Sequence, residues 1–211
     1  MLTVFDFDAS PSCLTVKIVL KELGVPFEQR SVTRADLRGA DYRALFPAGQ
    51  APAIRDGELL LAESGAIALY LAERHGGLIP KDPRRRALMF QAMFVEGALL
   101  GPAVGGQGLL AELAKPEDAR NPPRLAELRE KAVHAGRVVG ALLGEREYFA
   151  EELSLADTQM YAVISKALAA GAFGEAPANL VAWCERMTAR PSVRAAREEY
   201  VHFRSSKGAA A

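Results

Sequence analysis

The sequence predicts an α/β unit over residues 1–77 and an all-helical unit over residues 84–204, the α/β plus all-α class. Short apolar runs typical of strands alternate with helical periodicity in the first part of the chain. Residues 78–83 contain two prolines and no periodicity, which predicts a linker, and only helical periodicity follows it. Residues 205–211 are serine, lysine, glycine and alanine and predict a disordered tail.

Composition and charge exclude several classes of partner. Lys plus Arg and Asp plus Glu both number 26, so nothing favours a nucleic acid or an anionic membrane. The N-terminus lacks the basic and apolar regions of a signal peptide, and no continuous apolar run approaches the about 20 residues of a membrane span. Two cysteines without metal-ligand spacing and three scattered histidines predict no metal and a reducing, cytoplasmic location.

The element order expected in the first unit is β-α-β-α-β-β-α. Asp56-Gly57 between two apolar runs predicts a tight hairpin turn. Ser64 is expected to be the N-cap of the last helix, which ends at 75–77 with His-Gly-Gly.

The second unit begins with an expected long helix from residue 84 to about 114, bent near Gly101-Pro102. Asn121-Pro-Pro123 is expected to break the chain before the next helix. Ser154-Leu-Ala-Asp157 has the pattern of a capping box.

Three short runs in the first unit carry the functional signal. They are Ser10-Pro11-Ser12-Cys13 at a strand-to-helix turn, Gln50-Ala51-Pro52 in a loop, and Glu63-Ser64 at the start of a helix. Each places polar or backbone groups where an extended anionic peptide could lie, and the first offers a hydroxyl to a thiolate. Their order and spacing together favour a glutathione site.

The same runs resemble signatures of the cytosolic glutathione transferases, of serine type and closest to the phi class and bacterial relatives. The resemblance covers about residues 2 to 200. Phe46 stands where the family usually has asparagine, and Gly65 replaces a frequent arginine. The motifs that carry it are Ser10-Pro11 with Val16, Phe46–Pro52, Asp56-Gly57, Glu63–Ile67, Phe94–Glu96, Pro102, Ser154–Asp157, and Trp183 with Arg190–Ser192.

This resemblance implies a thioredoxin-like N-terminal domain followed by a C-terminal helical-bundle domain. It also implies a detoxifying transferase in which the thiolate of bound glutathione attacks an electrophilic, apolar co-substrate. Glutathione is then a co-substrate, no metal is needed, and the protein is a homodimer.

Ser10 is the expected catalytic residue. Lowering the thiol pKa by roughly 2 units takes ~2.7 kcal/mol. A charge-assisted hydrogen bond of ~1.5–3 kcal/mol and a helix-terminus contribution of ~0.3–1 kcal/mol cover it. Alternatively, Ser10 is only an N-cap before Pro11, or Ser12 is the hydroxyl that meets the sulfur.

The resemblance implies roles for six further residues. Pro52 would follow a cis bond, and Ala51 would pair with the cysteinyl backbone of glutathione. The γ-glutamyl end would lie against Gln50 and Glu63-Ser64, and Arg38 would pair with the glycyl carboxylate. The co-substrate is expected between the first βα loop and the long helix, near Ser12, Met93, Phe94 and Gly97.

Other functions remain open at this stage. A glutathione-dependent dehalogenase or isomerase of the theta or zeta kind has the same fold, although Ser10-Pro11-Ser12 replaces the serine-serine-cysteine run of the isomerase. A non-catalytic ligand-binding or assembly module is the alternative of another class. Redox relatives carry Cys-Pro-x-Cys at this turn, and here only the second sulfur, Cys13, is present. Cys13 is therefore expected to be a small buried apolar residue rather than a redox group.

The long helix is apolar on nearly all sides, which predicts a symmetric partner that covers it. The residues concerned are Leu88, Met89, Phe90, Met93, Phe94 and Val95.

Overall fold

The computed structural model describes residues 1–7 and 10–208, with side chains described as far as residue 199. The chain divides into two compact units. One comprises Met1–Gly77 together with the chain from Ala189 onward, and the other comprises Leu78–Thr188.

The first unit is a thioredoxin-like α/β fold, as the sequence predicted. It is built on a four-stranded mixed sheet of order β2-β1-β3-β4. Strands β1 and β2 are parallel, whereas the β1–β3 and β3–β4 pairs are antiparallel. The elements are β1 (Thr3–Phe7), α1 (Pro11–Glu22), β2 (Glu28–Val32), α2 (Arg34–Arg38), α3 (Ala40–Leu45), β3 (Ala53–Asp56), β4 (Leu59–Ala62) and α4 (Ser64–His75).

The predicted hairpin joins β3 and β4. Gly57 has φ +60°, a value that side chains disfavour, and Asp56 pairs with Leu59 across the turn. Asp56 Oδ2 accepts a hydrogen bond of 2.8 Å from the Tyr70 hydroxyl and lies 3.1 Å from Arg74 Nη1. The hairpin is thus attached to α4.

The second unit is helical throughout its described length. Its elements are α5 (Pro83–Val95), a π-turn (Glu96–Leu100), α6 (Gly101–Val104), α7 (Leu109–Leu113), a 3₁₀ turn (Glu117–Ala119), α8 (Pro122–Leu143), α9 (Leu155–Ala169) and α10 (Ala178–Ala189).

Two expectations about these helices are wrong. The predicted single helix over residues 84–114 is interrupted by the π-turn and again after Val104, where backbone segments approach closely. A Cβ on Gly108 would lie 2.4 Å from the Ala103 carbonyl oxygen. The proline pair begins α8 instead of only breaking the chain, because Asn121 is the N-cap and accepts from Arg124 N–H at 3.1 Å.

The predicted capping box at the start of α9 is present and buried. Asp157 accepts hydrogen bonds from the backbone and hydroxyl of Ser154, from Phe149 N–H and from Trp183 Nε1. Burial raises the pKa of this carboxyl to about 6, although all four donors favour its charged form. Asp157 therefore joins α9, α10 and the loop before α9.

The last helix, α11 (Pro191–Gly208), packs on α1 in the first unit, although the sequence analysis grouped it with the helical unit. Glu22 at the end of α1 binds Arg190 at 2.7 Å and also accepts from the Ser192 hydroxyl. Burial opposes ionisation of Glu22, but these donors hold its pKa below the ordinary value. Helix α11 includes residues 205–208 of the predicted tail, and residues 209–211 lie outside the described part.

One segment of the described chain, Pro83–Leu113, is long and apolar enough to cross a membrane by length and composition alone. This measure averages hydropathy over a window, and the segment includes Gln91 and Glu96, so it does not contradict the expectation of no continuous apolar run of about 20 residues. A single helix of this kind is weak evidence for a span, because core helices of soluble proteins pass the same test. Here the segment contains the π-turn and the break after Val104.

Candidate functional site

The strand register brings the three sequence runs to one edge of the sheet. Phe5 in β1 pairs with Ala53, the first residue of β3, and Ala53 pairs with Ala62, the last residue of β4. The segments that follow β1, precede β3 and follow β4 therefore meet at that edge. They contain Ser10, Gln50–Pro52 and Glu63-Ser64.

Ser10 is the N-cap of α1, and Pro11 is the first helical residue. The Ser10 hydroxyl oxygen accepts a hydrogen bond of 3.4 Å from Cys13 N–H. Because capping uses only the oxygen, the hydroxyl proton remains available to a sulfur placed at the positive end of the helix. Ser10 is half-buried, so the N-cap and thiolate-stabilising roles are compatible.

Cys13 is fully buried. Burial, aided by the negative charge of Asp6, raises the pKa of its thiol to about 12. Its Sγ accepts a long hydrogen bond of 3.4 Å from Phe7 N–H. The thiol is thus protonated at neutral pH, as expected for a small buried apolar residue and not for a nucleophile.

The loop before β3 is fixed by a hydrogen bond from α3 and by a close backbone approach. The Ala51–Pro52 peptide bond is cis, as the resemblance implied. The Tyr42 hydroxyl donates a hydrogen bond of 2.9 Å to the carbonyl oxygen of Gln50. Gly49 has φ +61°, and a Cβ there would lie 2.6 Å from the Leu37 carbonyl oxygen.

Phe46, which replaces the family's usual asparagine, is buried in an aromatic cluster under this loop. Its ring centroid lies 5.2 Å from that of Phe5 and 5.1 Å from that of Tyr42. The position is thus filled by apolar packing instead of an amide. The sequence analysis missed Tyr42, because nothing in its pattern links a tyrosine to a carbonyl eight residues later.

The start of α4 differs from the sequence prediction in its cap. Glu63, with φ +69°, is the N-cap, and Ser64 is the first helical residue. Neither side chain makes a capping hydrogen bond. The Ser64 hydroxyl and the first N–H groups of α4 are therefore available to an anion. The positive φ of Glu63 replaces the extended geometry that a serine N-cap would need.

A buried ion pair beneath the βα turn was not predicted. Lys17 Nζ and Gln29 Nε2 each lie 2.7 Å from Asp6 Oδ2, and Lys17 and Asp6 are almost fully buried. The other oxygen, Asp6 Oδ1, has no hydrogen-bond partner among the described residues. Lys17 interrupts an otherwise apolar helix face, which is the one sequence signal that could have indicated it.

Comparison with known proteins finds glutathione S-transferases. Residues 4–78 match the family model described as glutathione S-transferase, N-terminal domain. Glutathione S-transferase F14 of Arabidopsis thaliana is 34% identical over 163 residues, covering 70% of this chain and 63% of that protein. The first unit of the chain thus matches the N-terminal domain of that family.

Bacterial glutathione transferases are also similar to this chain. Glutathione S-transferase GstB of Escherichia coli is 29% identical over 202 residues, covering 92% of this chain and 96% of that protein. A glutathione transferase structure from Pseudomonas putida superposes with a TM-score of 0.83 at 24% identity, covering 92% and 90% of the two chains. The chain spans only 45–63% of the length of three other matched transferases, the Arabidopsis protein included.

For the remaining predicted site residues, the structure gives the element and the exposure of each. Arg38 ends α2 and is exposed, and Ser12 is half-buried in the first turn of α1. In the helical unit Met93 is 9% exposed and Phe94 is 72% exposed. Gly97 is exposed in the π-turn. Within the described residues no group of three or more His, Cys, Asp or Glu side chains could hold a metal ion.

Proposed function

We propose that this protein is a glutathione transferase that conjugates glutathione to an electrophilic, apolar co-substrate. The observation that carries the proposal is the meeting of three polar runs at one sheet edge, with the Ser10 hydroxyl at the positive end of α1. The related Pseudomonas putida structure has one glutathione disulfide bound per subunit, and its fold is that of this chain.

Ser10 stabilises the reacting sulfur. Its oxygen accepts a hydrogen bond from Cys13 N–H. Its hydroxyl proton donates to a second acceptor, the glutathione thiolate. The thiol proton leaves to solvent when the thiolate forms. The sulfur then bonds to the electrophilic carbon. Either a leaving group departs with its bonding electron pair, or the sulfur adds to a double bond and the neighbouring carbon takes a proton from solvent.

Glutathione is held by the other two runs and by a cation. The γ-glutamyl carboxylate lies at the start of α4, on the Ser64 hydroxyl and N–H, and Glu63 pairs with the amino group. Gln50 supports the same end, and the backbone of Ala51, before Pro52, pairs with the cysteinyl residue.

The glycyl carboxylate pairs with Arg38. The parallel register of β1 and β2 supports this, because Phe7 pairs with Val32 and α2 follows at the same sheet edge. The electrophile contacts Ser12, Met93, Phe94 and Gly97. The exposure of the Phe94 ring and of Gly97 supports a part of this set, whereas Met93 is mostly covered.

Mixing the purified protein with glutathione and a chromogenic nitroaryl halide tests the proposal. We expect enzyme-dependent conjugate formation that saturates in both substrates. Calorimetric binding of glutathione without conjugation would favour a non-catalytic binding module. Halide release from haloalkanes, or isomerisation of a conjugated dicarbonyl, without conjugation of the nitroaryl halide would favour the dehalogenase or isomerase.

We also infer a cytoplasmic homodimer. On α5, the apolar side chains of Leu88, Phe90 and Val95 are only half-buried within the described chain. A second copy of the chain would cover this apolar surface.

A further inference from the structure

The π-turn carries a partly buried polar contact that no step of the proposed reaction uses. It packs against α5, α6, α8 and α9. From α9, Gln159 Nε2 donates to Glu96 Oε2 and lies 3.5 Å from the carbonyl oxygen of Met93. The Glu96 side chain fills the space beside Gly101, where a Cβ would lie 3.3 Å from Glu96 Oε1.

The contact is incomplete if Glu96 is a carboxylate. Gln159 is 9% exposed, and its Oε1 has no hydrogen-bond partner among the described residues. A protonated Glu96 is a donor, so an acid–amide pair can satisfy oxygens that a carboxylate leaves unpaired. Burial raises the pKa of Glu96, and the hydrogen bond from Gln159 opposes this only in part.

No described charged group compensates a negative Glu96. Helix α6 has no ionisable residue, and Arg84–Arg86 lie at the far end of α5. On α9, Asp157 is bonded in its capping box, and Lys166 lies two turns beyond Gln159. The charged residues of α8 are exposed, namely Arg124, Glu127, Arg129, Glu130, Lys131, His134 and Arg137.

We propose that Glu96 is a positioning residue: as a neutral acid paired with Gln159, it fixes the π-turn and so the placement of Phe94 and Gly97. This inference rests on the proposed function, because those two residues contact the electrophile there. The π-turn departs from the α-helical hydrogen-bond pattern, with Gly101 N–H donating to the Glu96 carbonyl oxygen, so a side-chain contact can help to fix its position. Glu96 itself touches neither substrate.

Two substitutions test the two parts of this inference. Glu96→Gln keeps shape and hydrogen bonding but cannot ionise, whereas Glu96→Ala removes the contact. Exposed Glu130→Gln on α8 is the matched control. We measure thermal unfolding from pH 5 to 9 and the KM values of glutathione and of the nitroaryl halide.

The sign of the pH effect follows from linkage. An acid whose pKa is raised by folding stabilises below its unfolded pKa, and this stability is lost as pH rises through the folded value. As pH rises, the unfolding temperature of wild type should therefore fall relative to that of Glu96→Gln. The unfolding temperature of Glu130→Gln should change with pH as that of wild type does. If the difference in unfolding temperature between wild type and Glu96→Gln does not change with pH, Glu96 is not a neutral acid in the folded protein.

The kinetic result is separate. Glu96→Ala should raise the KM of the nitroaryl halide about tenfold while the glutathione KM stays within about twofold, and Glu96→Gln should resemble wild type. An equal rise in both KM values would overturn the positioning role. Failure of the proposed function would appear already in wild type as absent conjugation, and the unfolding experiment decides the charge state of Glu96 in either case.

Discussion

In the proposed mechanism, Ser10 performs two tasks with one hydroxyl, because its oxygen caps α1 while its proton donates to the glutathione thiolate. The first task is structural and the second chemical. Loss of the oxygen would weaken the helix start, and loss of the proton would leave the thiolate unstabilised.

Ser10→Ala should lower turnover by ~10²-fold, within the ~2.7–4 kcal/mol expected for one preorganised donor. Glutathione affinity should stay within a few-fold, because the other two runs bind the peptide. Steady-state kinetics and calorimetry measure these quantities. Ser12→Ala is the matched variant, and a larger loss of turnover there would assign the thiolate to Ser12.

Ser64→Ala should raise the glutathione KM with kcat little changed. The hydroxyl holds the γ-glutamyl carboxylate equally in ground and transition states, so its loss removes uniform binding. Since Ser64 is the first helical residue and makes no capping hydrogen bond, stability should change by less than ~0.5 kcal/mol. A fall in kcat at constant KM would contradict a pure binding role.

At the scale of elements, α1 supports the turn below Ser10 through the buried Lys17–Asp6 pair. Removing one partner of a buried pair leaves an uncompensated charge, which costs more than the pair contributes. Four residues later, Lys21 pairs with the partly exposed Glu199, a contact open to solvent.

Lys17→Met should therefore lower the free energy of unfolding by ~3–5 kcal/mol. Lys21→Met, on the same helix, should lower it by no more than about 1 kcal/mol. Urea denaturation followed by circular dichroism compares the two variants. Equal effects would mean that burial does not set the strength of these pairs.

Elements with local signals could be predicted from the sequence, whereas those that depend on tertiary contacts could not. Asp56-Gly57 and the Ser154–Asp157 capping box depend on neighbouring residues only, and both are present. The π-turn and the Glu63 N-cap depend on packing that no local pattern records. Likewise, the sequence predicted the three polar runs that meet at one edge of the sheet, but not Tyr42 beneath them.

At the scale of the whole molecule, the half-buried Leu88, Phe90 and Val95 of α5 support the proposed homodimer. Sedimentation at micromolar concentration should show a particle of about twice the 22.7 kDa chain mass. Phe90→Lys should shift the monomer–dimer equilibrium toward monomer, because a charge in an apolar interface is desolvated without a partner. Exposed Gln91→Lys on the same helix is the comparison variant, and a wild-type monomer with full activity would contradict the dimer.

The packing of α11 on α1 makes the first unit discontinuous in the chain. During synthesis, residues 1–77 leave the ribosome without the helix that covers α1. At about 5–20 residues per second, synthesis of Leu78–Thr188 takes roughly 6 to 22 s. The nascent first unit therefore presents an uncovered α1 surface throughout this interval, and its folding is completed only after α11 has been synthesised.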